Sequence, residues 1–195
     1  MDIQNKVPFM SSVFGHLIFQ MFIMFRALEA TVNNTSLNEF ATNNNLFLTL
    51  GNLGLFTALI FIKMGLPYKV ALFTLVSFTT GMLMHKIEDM KEALLETIAI
   101  FVAMLFAGIA TVKLGYDLSI LGIVLIFSLI ALIFARLLSP GKKKYTKITT
   151  LIFALFVVYD TNKILQRNYS GDFVNASLDY FTDIINLLSV TSEEA

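Results

Sequence analysis

The chain has 195 residues, 56% of them hydrophobic and 14% charged, with a mean hydropathy of +0.75, so it carries more apolar surface than one water-soluble core can hide. Fourteen basic residues balance fourteen acidic ones, leaving no cationic excess for a nucleic-acid partner. The lack of cysteine excludes disulfides, thiolate metal sites, iron–sulfur clusters and thiol nucleophiles.

A helix that crosses a hydrocarbon core needs about 20 mostly apolar residues. In chain order, the first such stretch runs from Val7 to Phe25 and is read as a retained span, not a signal peptide, because no small-residue cleavage pattern follows it. The Asn-rich stretch from Leu28 to Asn45 is expected to be a connection with no element of its own. Further spans are expected over Leu46 to Ile62, Val70 to Met84, Ala93 to Val112, Leu118 to Ala135 and Ile148 to Tyr159. A shorter, more polar seventh covers Ala176 to Val190. The expected architecture is an all-α polytopic membrane bundle of about seven helices, a single membrane domain over 1–195 with the lipid bilayer as its solvent.

Charge leaves the orientation open. Arg136, Lys142, Lys143, Lys144 and Lys147 argue for a cytosolic connection before the sixth span, while Lys63 and Lys69, on the opposite side, argue the reverse. His16 is expected to be a packed, hydrogen-bonded residue, and Arg26 with Glu29 to form a local pair. Glu96 could face either the bundle interior or the interface. The Asn-x-Ser/Thr matches at Asn33, Asn34, Asn168 and Asn175 matter only if they face a glycosylating lumen.

Ionisable groups at membrane depth cost free energy and are functional candidates for that reason. Asp160 ends one apolar run and Asp183 interrupts the last. Helical spacing places Asp179, Asp183 and Asn186 on one face, with Asn175 a turn earlier and Tyr159 beside Asp160. Two carboxyls brought together out of bulk water would hold a proton over an unusual pH range, and when ionised could transiently take calcium. The alternative is that both aspartates sit solvated at helix ends, since Thr161, Asn162 and Lys163 continue the polar stretch.

The strings Tyr159-Asp160-Thr161-Asn162 and Asp179-Tyr180-Phe181-Thr182-Asp183-Ile184-Ile185-Asn186-Leu187 resemble the Bax-inhibitor family, also called the lifeguard or Golgi anti-apoptotic group. Weaker likeness reaches back through Ala71-Leu72-Phe73-Thr74 and Thr79-Thr80-Gly81. The resemblance implies six helices around a short central seventh, with Asp160 and Asp183 as a pair of pore aspartates. It further implies pH-sensitive calcium leak with no bound cofactor, and suppression of cell death through apoptosis-regulating membrane proteins. The implied membrane is the endoplasmic reticulum or Golgi in a eukaryotic or viral setting and the plasma membrane in a bacterial one. Asn162 stands where the family usually has Gln, and Asp179 where Asn is common. No basic residue lies within the second span, where some relatives keep an Arg facing the aspartates. The chain is expected not to be an enzyme. An interaction protein without channel activity is the alternative, and an intramembrane aspartyl protease a remote one, because Gly171-Asp172 lacks the first glycine of that motif.

Overall fold

The computed structural model describes residues 3–87, 89–138, 142–166, 169 and 171–193. Among them are eight α-helices: α1 (Val7–Asn33), α2 (Thr35–Asn43), α3 (Asn45–Phe61), α4 (Leu66–Leu83), α5 (Met90–Lys113), α6 (Ser119–Leu138), α7 (Lys142–Gln166) and α8 (Phe173–Thr191). No strand occurs among the described residues. α1, α4, α5, α6 and α7 are long and apolar enough to cross a membrane, and the pair α2 and α3, bent by 78°, makes a sixth candidate. α8 has 19 residues but is too polar to join them. The fold is thus a polytopic helical membrane bundle.

The stretch from Leu28 to Asn45 departs from expectation. α1 runs on to Asn33, and α2 follows after a single non-helical residue. Asn34 makes that break: its side chain accepts from the Leu37 amide at 3.2 Å, so one residue ends α1 and caps α2. Of the asparagines that read as a loop, Asn34 and Asn44 stand at helix caps and the others lie within helices. Asn33, Asn34 and Thr35 are exposed there, whereas Ala176 and Ser177 of the Asn175 match are buried in α8, and Asn168 and Ser170 lie outside the described residues.

The chain forms two compact units. One holds α1 from Pro8, α2 to α4 and the start of α8 to Phe181. Here Gln20 of α1 is fully buried, and every polar atom of its amide is used. Its Nε2 donates to His16 Nε2 at 3.0 Å and to Thr74 Oγ1 at 3.3 Å, and its Oε1 accepts from Ser77 Oγ at 2.8 Å. His16 packs edge-on to Phe73 and Phe173, as expected of a packed residue. α3 is pinned to α4 by Asn52, which donates to Thr80 Oγ1 at 3.1 Å and accepts from Thr79 Oγ1 at 2.9 Å. Gly81 of α4 lies directly against the α1 backbone: a Cβ there would overlap Met24 O and come within 2.9 Å of Ala27 Cβ. Small residues at such crossings bring helices close enough for dispersion and polar contacts to hold them together in lipid. Gln20→Leu, which strips Ser77 of its acceptor and Thr74 of one donor, is expected to cost about 1–2 kcal/mol, read as a lower thermal midpoint of the purified protein in detergent.

The other unit holds α5, α6, α7 and α8 from Thr182. α7 packs against both α5 and α6. Gly108 of α5 admits α7 closely, since a Cβ there would lie 2.5 Å from Thr161 Cβ and 2.9 Å from Val158 O. Leu125, Leu132 and Ile152 form an apolar cluster, and Thr191 of α8 bonds Thr97 Oγ1 at 3.0 Å and Ala93 O at 3.2 Å. Glu96, one residue before buried Thr97, is exposed. Large apolar side chains such as Phe106, Ile120 and Phe127 point outward, as they do where hydrocarbon is the solvent.

Candidate functional site

α7 is the helix that decides the site, because it remains helical through its polar end. Asp160 is 8% exposed, Thr161 0% and Asn162 2%, and the helix continues to Gln166. A solvated helix end would expose them. The polar groups are instead engaged from α5 and the turn after it: Asn162 Nδ2 donates to Thr111 Oγ1 at 3.0 Å and to Tyr116 O at 2.9 Å, and Asn162 Oδ1 accepts from the Leu118 amide at 3.4 Å. Gln166 Nε2 adds a bond to Tyr116 O at 2.6 Å. The α7 end is therefore anchored, and with it the direction of Asp160.

Asp160 accepts from Lys163 Nζ at 3.2 Å, an ion pair one turn apart on α7 whose side chains are only 11% and 22% exposed. The alternative of a solvated polar stretch, which would include Lys163, does not hold for this pair. Lys163 Nζ also lies 6.0 Å from the Tyr159 ring centroid. Tyr159 is half-buried, with its ring on Gly122 of α6. Tyr159, Lys163, Asn162, Asp117, Ser119 and Gln166 line a polar cavity of about 140 Å³. An ion or water entering it meets the Lys163 ammonium beside Asp160.

Asp183 of α8 is 4% exposed and belongs to the same compact unit as Asp160. Asn186 is half-buried in that unit and borders a second cavity. Asn175 and Asp179 fall in the other unit. There Lys69 pairs with Asp172 and donates to Asn175 Oδ1 at 3.3 Å, while Asp172 Oδ1 caps α8 by accepting from the Asn175 amide at 3.2 Å. Asn175 thus serves the start of α8, and Lys69, read from charge as a marker of orientation, is an ion-pair partner. The Lys142, Lys143 and Lys144 side chains lie outside the described residues. No group of three or more His, Asp or Glu able to hold a metal occurs among the described residues.

Buried carboxylates on two helices of a multi-pass bundle define a membrane protein with ionisable groups in its interior. Residues 7–190 match the family model described as "Inhibitor of apoptosis-promoting Bax1", so the chain belongs to the Bax-inhibitor family. It is similar to a BI1-like protein of Arabidopsis thaliana, 28% identical over 94% of this chain and 78% of the relative. It is also similar to Protein LIFEGUARD 1 and Protein LIFEGUARD 2 of the same plant. These are 25% identical over 60% of this chain and 26% identical over 69% of it, and in both the match spans 54% of the relative. The chain thus spans about half the length of the LIFEGUARD relatives it matches.

Proposed function

We propose that the chain is a pH-sensitive, calcium-permeable leak channel in which Asp160 and Asp183 share and release a proton, and that it acts on calcium stores and cell death from an endoplasmic reticulum or Golgi membrane. The observation that carries the reading is the burial of both carboxyl groups within one compact unit, at 8% and 4% exposure. Ionised, and with the Lys163 ammonium displaced from Asp160, the two carboxylates repel each other and attract a divalent cation; protonated, they share a hydrogen bond and close. The reading is not enzymatic. Asp172, the aspartate that the protease alternative would need, is tied to Lys69 and caps α8.

The test is calcium flux through the purified chain in liposomes across a pH series. Flux is expected to fall on acidification. Asp160→Asn and Asp183→Asn are each expected to lower flux at alkaline pH by about tenfold, for roughly 1.4 kcal/mol of lost cation attraction, and to flatten the pH response. Flux identical in both variants would rule the mechanism out. Cell protection by a chain that moves no calcium would favour the interaction reading, which the family's description also supports.

A further inference from the structure

The second cavity, of about 340 Å³, is amphipathic along its length. On α6 its wall runs Leu129, Leu132, Ile133, Arg136, spacings that keep one helix face, so the wall passes from apolar to cationic toward the end of the helix. On α7, Phe153 continues the apolar part and Thr149, one turn earlier, the polar part. α6 ends at Leu138 and α7 begins at Lys142, so the polar end of the cavity lies toward the connected ends of these two helices. A bilayer presents its phosphate layer near the ends of the helices that span it.

Arg136 has donors to spare. Its Nη2 donates to Thr149 Oγ1 at 3.2 Å and to Glu193 Oε2 at 3.4 Å, while its Nε is buried with no acceptor among the described residues. A guanidinium offers five N–H groups in a fork that suits two oxygens of one anion. The tie to Glu193 is long and joins side chains 34% and 37% exposed, so an incoming anion can replace it at little cost. Exposed Lys147, on the first turns of α7, adds positive charge at the same end.

We propose that this cavity binds an anionic phospholipid, its acyl chain along Leu132, Ile133 and Phe153 and its phosphate at Arg136 in exchange for Glu193. Asn186 and Ser189 of α8 complete the lining, one to two turns from Asp183, but neither Asp160 nor Asp183 lines the cavity and the proposal does not depend on the channel reading. The measurement is native mass spectrometry of the full chain, purified in detergent and offered phosphatidylglycerol, phosphatidylcholine and oleate at equal concentration. Phosphatidylglycerol is expected to be retained about fivefold over phosphatidylcholine, a ratio that Arg136→Gln lowers to near one. Glu193→Gln, in the exposed turn after α8 where folding is not at risk, is expected to raise phosphatidylglycerol retention at least twofold by removing the competitor. Equal retention of the two lipids by the unaltered chain, or a ratio indifferent to Glu193→Gln, overturns the proposal. So does preferential retention of oleate, which would mark a carboxylate site.

Discussion

Gly81→Ala is expected to lose most of the folded protein, with a thermal midpoint in detergent at least about 10 °C lower, corresponding to about 3 kcal/mol or more. The reason is what the added methyl meets. A flexible side chain could swing aside, but the obstacle is Met24 O, a backbone carbonyl inside α1, with Ala27 Cβ behind it at 2.9 Å. Relief requires α1 and α4 to part, and parting stretches the bonds that Gln20 makes to Thr74 and Ser77 on the same two helices. The close crossing and the polar cluster therefore fail together, which is why the expected loss exceeds that of Gln20→Leu. Gly54→Ala is the control, since a Cβ there meets nothing within 4 Å; its midpoint is expected to stay unchanged or rise slightly, alanine being the better helix former. A Gly81→Ala midpoint equal to that of the unaltered chain would refute the packing argument. Gly108→Ala, which would strike Val158 O and the Thr161 side chain, is expected to behave like Gly81→Ala and to disturb the α7 end as well.

The spans were legible because their signal is long and additive: about 20 apolar residues leave few alternatives whatever their neighbours are. Their ends were not, since ends are decided by single side chains. Asn34 turns a presumed loop into a helix junction, and Asn162 keeps α7 helical through Thr161 to Gln166 by bonding a carbonyl 46 residues earlier. Asp160 and Asp183 were legible as charges in apolar surroundings and by family resemblance, and both are buried. The partner of Asp160 was not. Lys163 belongs to a polar stretch that the sequence leaves either solvated or buried, and its ion pair with Asp160 shows only in the structure. Asn175 and Asp179 share a face of the continuous helix α8 with Asp183, while the boundary between the two compact units falls after Phe181, between Asp179 and Asp183. Glu96 likewise faces outward, a choice of face that its distance from the span's start leaves open.

If Asp160 attracts the permeant cation, Lys163 already occupies the place such a cation would take, 3.2 Å from Oδ1 and bordering the polar cavity. A tethered ammonium neutralises the carboxylate and must be displaced before calcium can bind there. Lys163→Met keeps the length and apolar stem of the side chain and removes only the charge. We expect calcium flux in liposomes at alkaline pH to rise about tenfold, for roughly 1.4 kcal/mol of competition removed. The gain should vanish on acidification, because a proton can take the position that the ammonium has left, so the pH response should be steeper than in the unaltered chain. Lys163→Arg restores the charge and is expected to restore low flux. Lys163→Met combined with Asp160→Asn should show no gain, since the competition is for that carboxylate. Leak that Lys163→Met leaves unchanged, in a chain whose leak still depends on Asp160, would show that the ion pair only secures α7 and leaves the cation path alone. The cost in stability of parting a mostly buried pair, about 3 kcal/mol or more, should appear as a lower thermal midpoint in Lys163→Met in either case, and so separates folding from flux.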